Sequence, residues 1–266
     1  MTLNKIIFQV DSFADEPFKG NPAGVMILSE EPSSEWMQSI AAEMNLSETA
    51  FIVPQKNDFL IRFFTPTNEV PLCGHATLAS SHIIYELGLK SPNETIVFKA
   101  QQDILTIRKE DEWIVMDFPV FPIHKIEIPD EFQGLIGFKP MEMYASLHDW
   151  KIAVAENESD VINSNPKFSS LNEHGLGQLM VTAKSNLSDV DFVVRCFCPI
   201  DGIDEDPVTG SAHCALTPLW AEKLGKETFN SIQMSKRTGR LKVKLNGDRV
   251  EIKGKAITIF EAKLNI

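Results

Sequence analysis

Gly74-His-Ala-Thr-Leu-Ala-Ser-Ser-His-Ile-Ile-Tyr85 and Gly210-Ser-Ala-His-Cys-Ala-Leu-Thr-Pro-Leu-Trp-Ala221 are two stretches of this sequence that contain no Asp, Glu, Lys or Arg. Each runs on to a Leu-Gly pair, and glycine commonly follows the last turn of a helix. A surface helix needs a polar face, which neither stretch has. Each is therefore predicted to be a buried helix wrapped by its own sheet. Pro218 would kink or break the second helix unless its hydrogen-bond ladder adjusts locally.

The sequence around these stretches is repeated. Arg62-Phe-Phe-Thr-Pro66 recurs as Arg195-Cys-Phe-Cys-Pro199, about half the chain length later. After each predicted helix, apolar and polar residues alternate around Glu110-Asp-Glu112 and around Asn246-Gly-Asp248, which predicts one β-hairpin in each half. The fold class expected is α+β, with two pseudo-symmetric domains, each a mostly antiparallel β-sheet or barrel wrapped around a central helix.

Two prolines indicate where the halves divide. Pro119-Val-Phe-Pro122 breaks a strand and makes a stiff linker. We therefore expect a first domain over residues 1–120 and a second over 121–255. The strand-like run Ala256-Ile-Thr-Ile-Phe260, within residues 256–266, is expected to return and complete the first domain. The cleft between two such domains is the natural ligand site.

The composition is that of a folded globular protein. Of the 266 residues, 43% are hydrophobic and 23% are charged, close to the usual proportions. With 25 basic and 37 acidic residues the net charge is −12, which would repel nucleic acid and anionic membranes. The expected partner is therefore a small molecule, with no nucleic acid and no membrane.

The expected location is the cytoplasm. The N-terminus shows no basic region or small-residue cleavage site of a secretory signal, and no apolar run reaches the roughly 18 residues of a membrane span. The cysteines are few for the length and favour free thiols in a reducing compartment over a disulfide framework. They are Cys73, Cys196, Cys198 and Cys214.

Glu48 is the first candidate for chemistry. It lies between a helix capped by Ser33-Ser34 and the apolar run Ala50-Phe-Ile-Val53. A carboxylate there can be drawn into a partly dry site, where desolvation raises its pKa towards the range of a general base. The alternative is that Glu48 is a solvated loop acid.

A thiol and an imidazole stand at the start of the first predicted helix, in Cys73-Gly-His75. Free N–H groups and the helix dipole would lower the pKa of His75, keep it neutral and bind an anion such as a substrate carboxylate. The alternatives are a structural histidine and a cysteine that is only a small buried apolar side chain.

The second half has equivalent candidates. Asp206 and Thr209 could simply cap the helix, whereas Gly210 and Ser211 offer another nest of backbone N–H groups for an anion. In a pseudo-symmetric pair the two helix starts would point at one cleft from opposite sides. Glu48 and Asp206 would then repel each other at close range, so at least one is expected to hold a raised pKa.

No metal and no nucleotide cofactor is expected. Cys196-x-Cys198 with His213-Cys214 fits no common structural-zinc spacing. The sequence contains neither a G-x-G-x-x-G dinucleotide motif nor a G-x-x-x-x-G-K-[ST] phosphate loop.

Five motifs in order resemble the phenazine-biosynthesis PhzF-like family, within the diaminopimelate-epimerase fold. The resemblance implies a cofactor-independent isomerase, commonly a homodimer, that moves a proton on a small carboxylate-bearing metabolite. The motifs are Phe18-Lys-Gly-Asn-Pro-Ala-Gly-Val25, Glu43-Met-Asn-Leu-Ser-Glu-Thr-Ala-Phe51, Arg62-Phe-Phe-Thr-Pro66, Leu72-Cys-Gly-His-Ala-Thr77 and Asp206-Pro-Val-Thr-Gly-Ser-Ala212.

The same resemblance assigns roles to residues of this chain. It implies Glu48 as the base, and it matches His75 and Asp206 to the other polar groups of the site. The residues expected to bind the substrate are Asn21, Cys73, Gly74, Gly210 and Ser211.

Cys73 departs from the family pattern, which has a small residue at this position. A cysteine there resembles the epimerases that use two thiols on opposite faces of a carbon. A second thiol would be needed near Asp206, where this chain has an acid. The alternatives to the PhzF-like isomerase are therefore an amino-acid racemase that uses Cys73, and a non-catalytic small-molecule-binding protein of the same fold.

Overall fold

The chain forms two compact units. The structure is a computed structural model that describes residues 5–101 and 103–265. One unit contains the chain up to Asp117 and the chain from Lys253 onward, and the other is Phe118–Ile252. The predicted domains begin at Met1 and end at Ile266, and these two residues lie outside the described residues.

The first unit is a sheet with two helices. Its elements are β1 (Ile6–Ser12), β2 (Asn21–Ile27), α1 (Ser34–Met44), β3 (Glu48–Pro54), β4 (Phe59–Phe64), β5 (Glu69–Val70), α2 (Gly74–Glu86), β6 (Ile96–Lys99), β7 (Ile104–Glu110), β8 (Trp113–Pro119) and β18 (Ala256–Lys263).

Most neighbouring strands of this sheet are antiparallel. The hydrogen-bonded order is β18-β1-β2-β3-β4-β6-β7-β8, with β5 also paired to β4, and β2–β3 and β4–β6 run parallel. The C-terminal strand β18 thus pairs with β1. The predicted hairpin around Glu110-Asp-Glu112 is confirmed, because Glu110 faces Trp113 across its turn.

Helix α2 is buried, as its lack of charge predicts. It packs on β1, β2, β3 and β18, and its residues from His75 to Ser81 are all buried. The helix ends at Glu86, Leu87 caps it, and Gly88 follows in the left-handed conformation with φ +67°. No helix among residues 5–101 and 103–265 is both long enough and apolar enough to cross a membrane.

The second unit has the same kinds of element. They are β9 (His124–Ile126), α3 (Phe132–Ile136), β10 (Glu142–Ala145), β11 (Lys151–Val154), α4 (Glu158–Asn163), α5 (Phe168–Leu171), β12 (Leu179–Lys184), β13 (Phe192–Cys198), β14 (Ile203–Asp206), α6 (His213–Leu224), β15 (Thr228–Gln233), β16 (Gly239–Asn246) and β17 (Arg249–Gly254).

The strand pairing of the second unit repeats that of the first. The order is β9-β10-β11-β12-β13-β15-β16, with β14 also paired to β13, and β11–β12 and β13–β15 run parallel. Each unit therefore has its parallel pairs at corresponding places and a buried helix between corresponding strands. The predicted α+β fold with two pseudo-symmetric halves is confirmed.

Helix α6 accommodates Pro218 because another group satisfies the carbonyl that the proline leaves without a partner. A proline has no N–H for the carbonyl four residues earlier, which here is that of Cys214. The N–H of Phe121 donates to this carbonyl at 3.0 Å. The expected start of the helix was wrong: α6 begins at His213, and Gly210–Ala212 form a preceding turn, in which the N–H of His213 donates to the carbonyl of Gly210.

A pair of equivalent ion pairs explains the repeated Arg motif. Arg62 donates from Nε and Nη2 to the two carboxylate oxygens of Glu69, each at 2.7 Å. Arg195 makes the same two bonds to Glu205, at 2.7 and 2.9 Å. In each unit this two-bond contact ties the short strand before the buried helix to its neighbour.

Gly20 and Gly88 provide a matched test of backbone constraint in the first unit. Both have φ +67°, but a Cβ at Gly20 would collide with the carbonyl oxygen of Ser12, whereas at Gly88 it would have room. Gly88→Ala should cost about 1–2 kcal/mol for the left-handed conformation alone. Gly20→Ala should cost about 1–3 kcal/mol more through the overlap. Urea denaturation followed by circular dichroism measures both, and equal losses would contradict the assigned backbone of Gly20.

Candidate functional site

Four polar side chains of the first unit meet at the start of helix α2. Cys73 precedes the helix, His75 is its second residue, Glu48 begins β3 and Asn21 begins β2. Strands β2 and β3 are parallel, with Ala23 opposite Glu48, so their first residues lie at the same edge of the sheet.

The imidazole of His75 is at the centre of this group. Its Nε2 lies 3.2 Å from Oε2 of Glu48, and its Nδ1 lies 3.3 Å from Nδ2 of Asn21. The Cys73 Sγ lies 3.4 Å from the same Nδ1. We call Glu48, Cys73 and His75 the triad. A carboxylate oxygen of Glu48, the Sγ of Cys73 and a ring nitrogen of His75 all lie within 4.8 Å of one another.

The backbone around the triad is fixed by two buried hydroxyl groups. Ser12 Oγ donates to the carbonyl of His75 at 2.7 Å, and Thr77 Oγ1 donates to the carbonyl of Cys73 at 2.7 Å. Asp11, next to Ser12, accepts from the N–H of Phe18 at 2.9 Å and so holds the loop that leads to Asn21. The first two contacts hold the backbone that carries Cys73 and His75, and the third holds the loop that leads to Asn21.

Glu48 is not a solvated loop acid. Its side chain is 19% exposed and that of His75 is 7% exposed. The two groups are therefore largely withdrawn from water, where their mutual attraction is stronger than on a surface.

The charges of this pair differ from the sequence-based expectation. Burial raises the pKa of Glu48, but His75 and Cys73 outweigh it and hold the pKa below the ordinary value. Burial lowers the pKa of His75, but the Cys73 sulfur and the Glu48 carboxylate outweigh it and raise the pKa well above the ordinary value. The expectations of a raised pKa for Glu48 and a neutral His75 were wrong, because each group is the other's counter-ion. At neutral pH the pair is a carboxylate and an imidazolium.

Cys73 carries a protonated thiol in this environment. Burial, and after it the Glu48 charge, raise its pKa to about 11 against the opposing effect of His75. The charge beside the imidazole at neutral pH is therefore that of Glu48.

The second unit holds Asp206 in a separate network. Asp206 Oδ2 accepts from Thr209 Oγ1 at 2.5 Å, and Gln233 Nε2 donates to the carbonyl of Asp206 at 2.7 Å. Gln233 Oε1 in turn accepts from the N–H of Thr209 at 2.8 Å. In the turn that follows, Gly210 is buried and Ser211 is exposed. Thr209 thus binds the acid directly rather than capping α6, which begins four residues later.

The four residues considered as a zinc set do not form one. His213 bonds to Ser231 through Nε2 at 2.9 Å, and Cys196 donates to Gln233 Oε1 at 3.7 Å. Burial lowers the pKa of His213 to about 4 and raises that of Cys196. Within residues 5–101 and 103–265, the potential metal ligands that come together in a group of three are the triad.

Sequence reasoning missed Gln233 and Ser12. Both are fully buried polar residues in strands, and each bonds to the backbone that carries a candidate residue. A signal existed for Gln233, since Phe229, Ser231 and Gln233 alternate along one face of β15 and two of these inward positions are polar.

The fold and the triad together define an α+β protein of two similar units, with an acid, an imidazole and a thiol at the start of a buried helix. The family model described as phenazine biosynthesis-like protein, PhzC-PhzF, matches residues 10–262. This chain therefore belongs to the phenazine biosynthesis-like family, as the five motifs predicted.

Individual relatives agree with this membership. An uncharacterized isomerase of Halalkalibacterium halodurans is 45% identical and the match covers 97% of each chain. A PhzF family structure from Enterococcus faecalis is 37% identical, with a TM-score of 0.93 over 98% of this chain and 99% of that one. A hydroxyproline epimerase from Agrobacterium vitis, 11% identical, reaches a TM-score of 0.63 over 98% of this chain and 90% of that one, which shows a shared fold alone.

The ion pair predicts how two buried histidines differ in titration. His75 should remain protonated above pH 6.5, whereas His213, with a pKa of about 4, should be neutral across the same range. Glu48→Gln should lower the pKa of His75, because burial then acts without the opposing charge. Ring-nitrogen NMR titration measures all three, and a His75 that is neutral at pH 7 would contradict the assigned charges.

The same shifts set a pH window for stability. The raised pKa of His75 stabilises the fold fully below pH 6.5, its unfolded value, and this contribution is lost as pH rises through the folded value. The lowered pKa of Glu48 stabilises it above pH 4.5 and is lost as pH falls through the folded value. The stability difference between wild type and Glu48→Gln should therefore be largest between these limits.

Proposed function

We propose that this protein is a cofactor-independent isomerase that moves a proton on a small carboxylate-bearing metabolite, with Glu48 as general base. The observation that carries the proposal is the Glu48–His75 contact of 3.2 Å, largely withdrawn from water at a helix start. The relative from Halalkalibacterium halodurans, named an isomerase, supports this reaction class. The homodimer is carried over from the family resemblance, and the cytoplasmic location from the sequence analysis.

The chemistry follows from the charges of the pair. Glu48, ionised at neutral pH, takes a proton from a carbon made acidic by conjugation or by an adjacent carboxyl group. The C–H bond breaks, an O–H bond forms on Glu48, and the electron pair moves into the substrate. Protonated His75 then stabilises the negative charge that develops beside it. Return of the proton to another carbon completes the isomerisation.

We also propose that the second unit completes the site. The first turn of each buried helix carries a partial positive charge of roughly +0.5. The N–H groups at Gly74 and His75, and those of the turn with Gly210 and Ser211, would hold the substrate carboxylate. Asp206, oriented by Thr209, would bind a polar group of the substrate.

Replacement of Glu48 tests the base. Glu48→Gln keeps the size of the side chain and removes its basicity, and should lower kcat/KM by about 10²- to 10⁴-fold. Glu43→Gln is the matched control, the same change at an exposed position of α1, and should leave activity unchanged. The measurement is loss of the substrate C–H signal in D₂O, followed by NMR over a panel of small cyclic and amino carboxylic acids. A fully active Glu48→Gln enzyme would end the assignment.

A second candidate function is amino-acid racemisation through Cys73. The observation that favours it is the thiol in contact with His75. The raised pKa of this thiol opposes it, because a thiol protonated at neutral pH is a proton donor and not a base.

Cys73→Ala separates the two enzymes. Under the proposed mechanism the variant keeps deuterium exchange within about tenfold of wild type, because Glu48 still removes the proton. Iodoacetamide at pH 7 should label Cys73 slowly, since few thiolates exist there. Rapid labelling with inactivation that substrate prevents, together with a dead Cys73→Ala variant, would favour the racemase. No exchange into any panel member would favour a non-catalytic binding protein of this fold.

A further inference from the structure

The triad contains three different kinds of metal-binding atom. Cys73 supplies sulfur, His75 supplies imidazole nitrogen and Glu48 supplies carboxylate oxygen, all within 4.8 Å of one another. Zinc binds sulfur, nitrogen and oxygen donors of these three kinds.

Two of the three separations between these atoms are close to those of a tetrahedral site. Bonds of about 2.3 Å to sulfur and about 2.0–2.2 Å to nitrogen and oxygen place tetrahedral ligand atoms about 3.4–3.6 Å apart. Here Sγ of Cys73 lies 3.9 Å from Nε2 of His75, and this nitrogen lies 3.2 Å from Oε2 of Glu48. Because Sγ of Cys73 also lies 3.4 Å from Nδ1 of His75, rotation of the Cys73 and His75 side chains would have to bring the sulfur towards the Nε2 side of the ring before one ion could bind both.

We propose that Glu48, Cys73 and His75 bind a thiophilic divalent metal ion of the Zn²⁺ type, with the fourth position open. On binding, metal–sulfur and metal–nitrogen bonds form, and the protons of the Cys73 S–H and of the His75 Nε2–H both pass to solvent. The sulfur and nitrogen donors select Zn²⁺ or Co²⁺ over Mg²⁺ and Ca²⁺, which prefer oxygen. The inference concerns a binding site and stands apart from the isomerase reaction.

The surroundings of the triad suit a metal site. The backbone of Cys73 and His75 is held by the Thr77 and Ser12 hydroxyl groups, so two of the three ligands are fixed in place. Asn21 lies against Nδ1 of His75. A half-turn of its amide would present the oxygen to a proton on Nδ1, the orientation that a histidine bound through Nε2 requires.

Metal binding would oppose the proposed reaction. Glu48 cannot hold the ion and accept a substrate proton with the same carboxylate, so Zn²⁺ should inhibit by competing with substrate. This consequence rests on the proposed function, whereas the binding itself does not.

Cobalt provides a test that is independent of any substrate. The full chain is titrated with Co²⁺, and a tetrahedral thiolate site gives a near-ultraviolet sulfur-to-cobalt charge-transfer band and intense visible bands. We expect one Co²⁺ per chain with these bands, displaced by one equivalent of Zn²⁺. Cys73→Ser should abolish the charge-transfer band and weaken Zn²⁺ binding about 100-fold or more, since loss of an outer partner alone costs roughly 10- to 100-fold.

Two further variants complete the design. Glu48→Gln should keep the sulfur-to-cobalt band and weaken binding, and Cys214→Ala, a change to a buried thiol of the second unit, should leave the titration unchanged. Thermal melts establish that each variant is folded. A weak octahedral Co²⁺ spectrum in wild type, or an unchanged titration in folded Cys73→Ser, would overturn the metal site. Normal Co²⁺ bands in a chain without deuterium exchange would retain the metal site and reject the isomerase.

Discussion

Burial of one helix in each unit, free of charged residues except in its last turn, is the constraint on which the rest of the structure depends. Helix α2 can lie inside its sheet because its side chains from Ala76 to Ile84 carry no charge, and each fully buried Leu or Ile contributes roughly 1.5–3 kcal/mol. A helix enclosed in this way presents unsatisfied backbone groups at its ends. Polar side chains therefore collect at its first turn, where Cys73 and His75 meet Glu48 from the sheet edge. The location of the triad thus follows from the burial of the helix.

The two units share an Arg–Glu contact next to the buried helix, but they differ in how the backbone hydrogen bonds of that helix are completed. Both units join the short strand before the buried helix to its neighbour through a two-bond Arg–Glu contact, Arg62–Glu69 and Arg195–Glu205. Only the second unit carries a proline in the helix, and there the N–H of Phe121 takes the carbonyl that Pro218 leaves. Phe121 lies between the two prolines of the predicted linker. The segment predicted to be the linker between the domains thus also completes the hydrogen bonding of α6.

The sequence predicted those features whose cause is local. Helix α1 begins after Ser33, which accepts from the N–H of Trp36, and ends at Asn45 in the left-handed conformation, as its capping residues indicate. Between His124 and Lys184 the helices α3, α4 and α5 have six residues or fewer and show no helical period, so local sequence patterns do not reveal them. The charges of the triad were beyond local reasoning. Burial alone raises the pKa of a carboxylate and lowers that of an imidazole, and only their pairing reverses both directions.

The carboxylate of Glu48 also affects the protonation of the other two members of the triad. Against burial, the Cys73 sulfur and the charge of Glu48 raise the pKa of His75, while burial and the charge of Glu48 raise that of Cys73. The imidazolium in turn holds Glu48 ionised. Three titratable groups in contact therefore give a single proton acceptor and two proton donors. A thiolate base at Cys73 would need the carboxylate to be neutralised first, by a proton, by a substitution or by a metal ion. Under the proposed function, the charge of Glu48 therefore disfavours a thiolate base at Cys73.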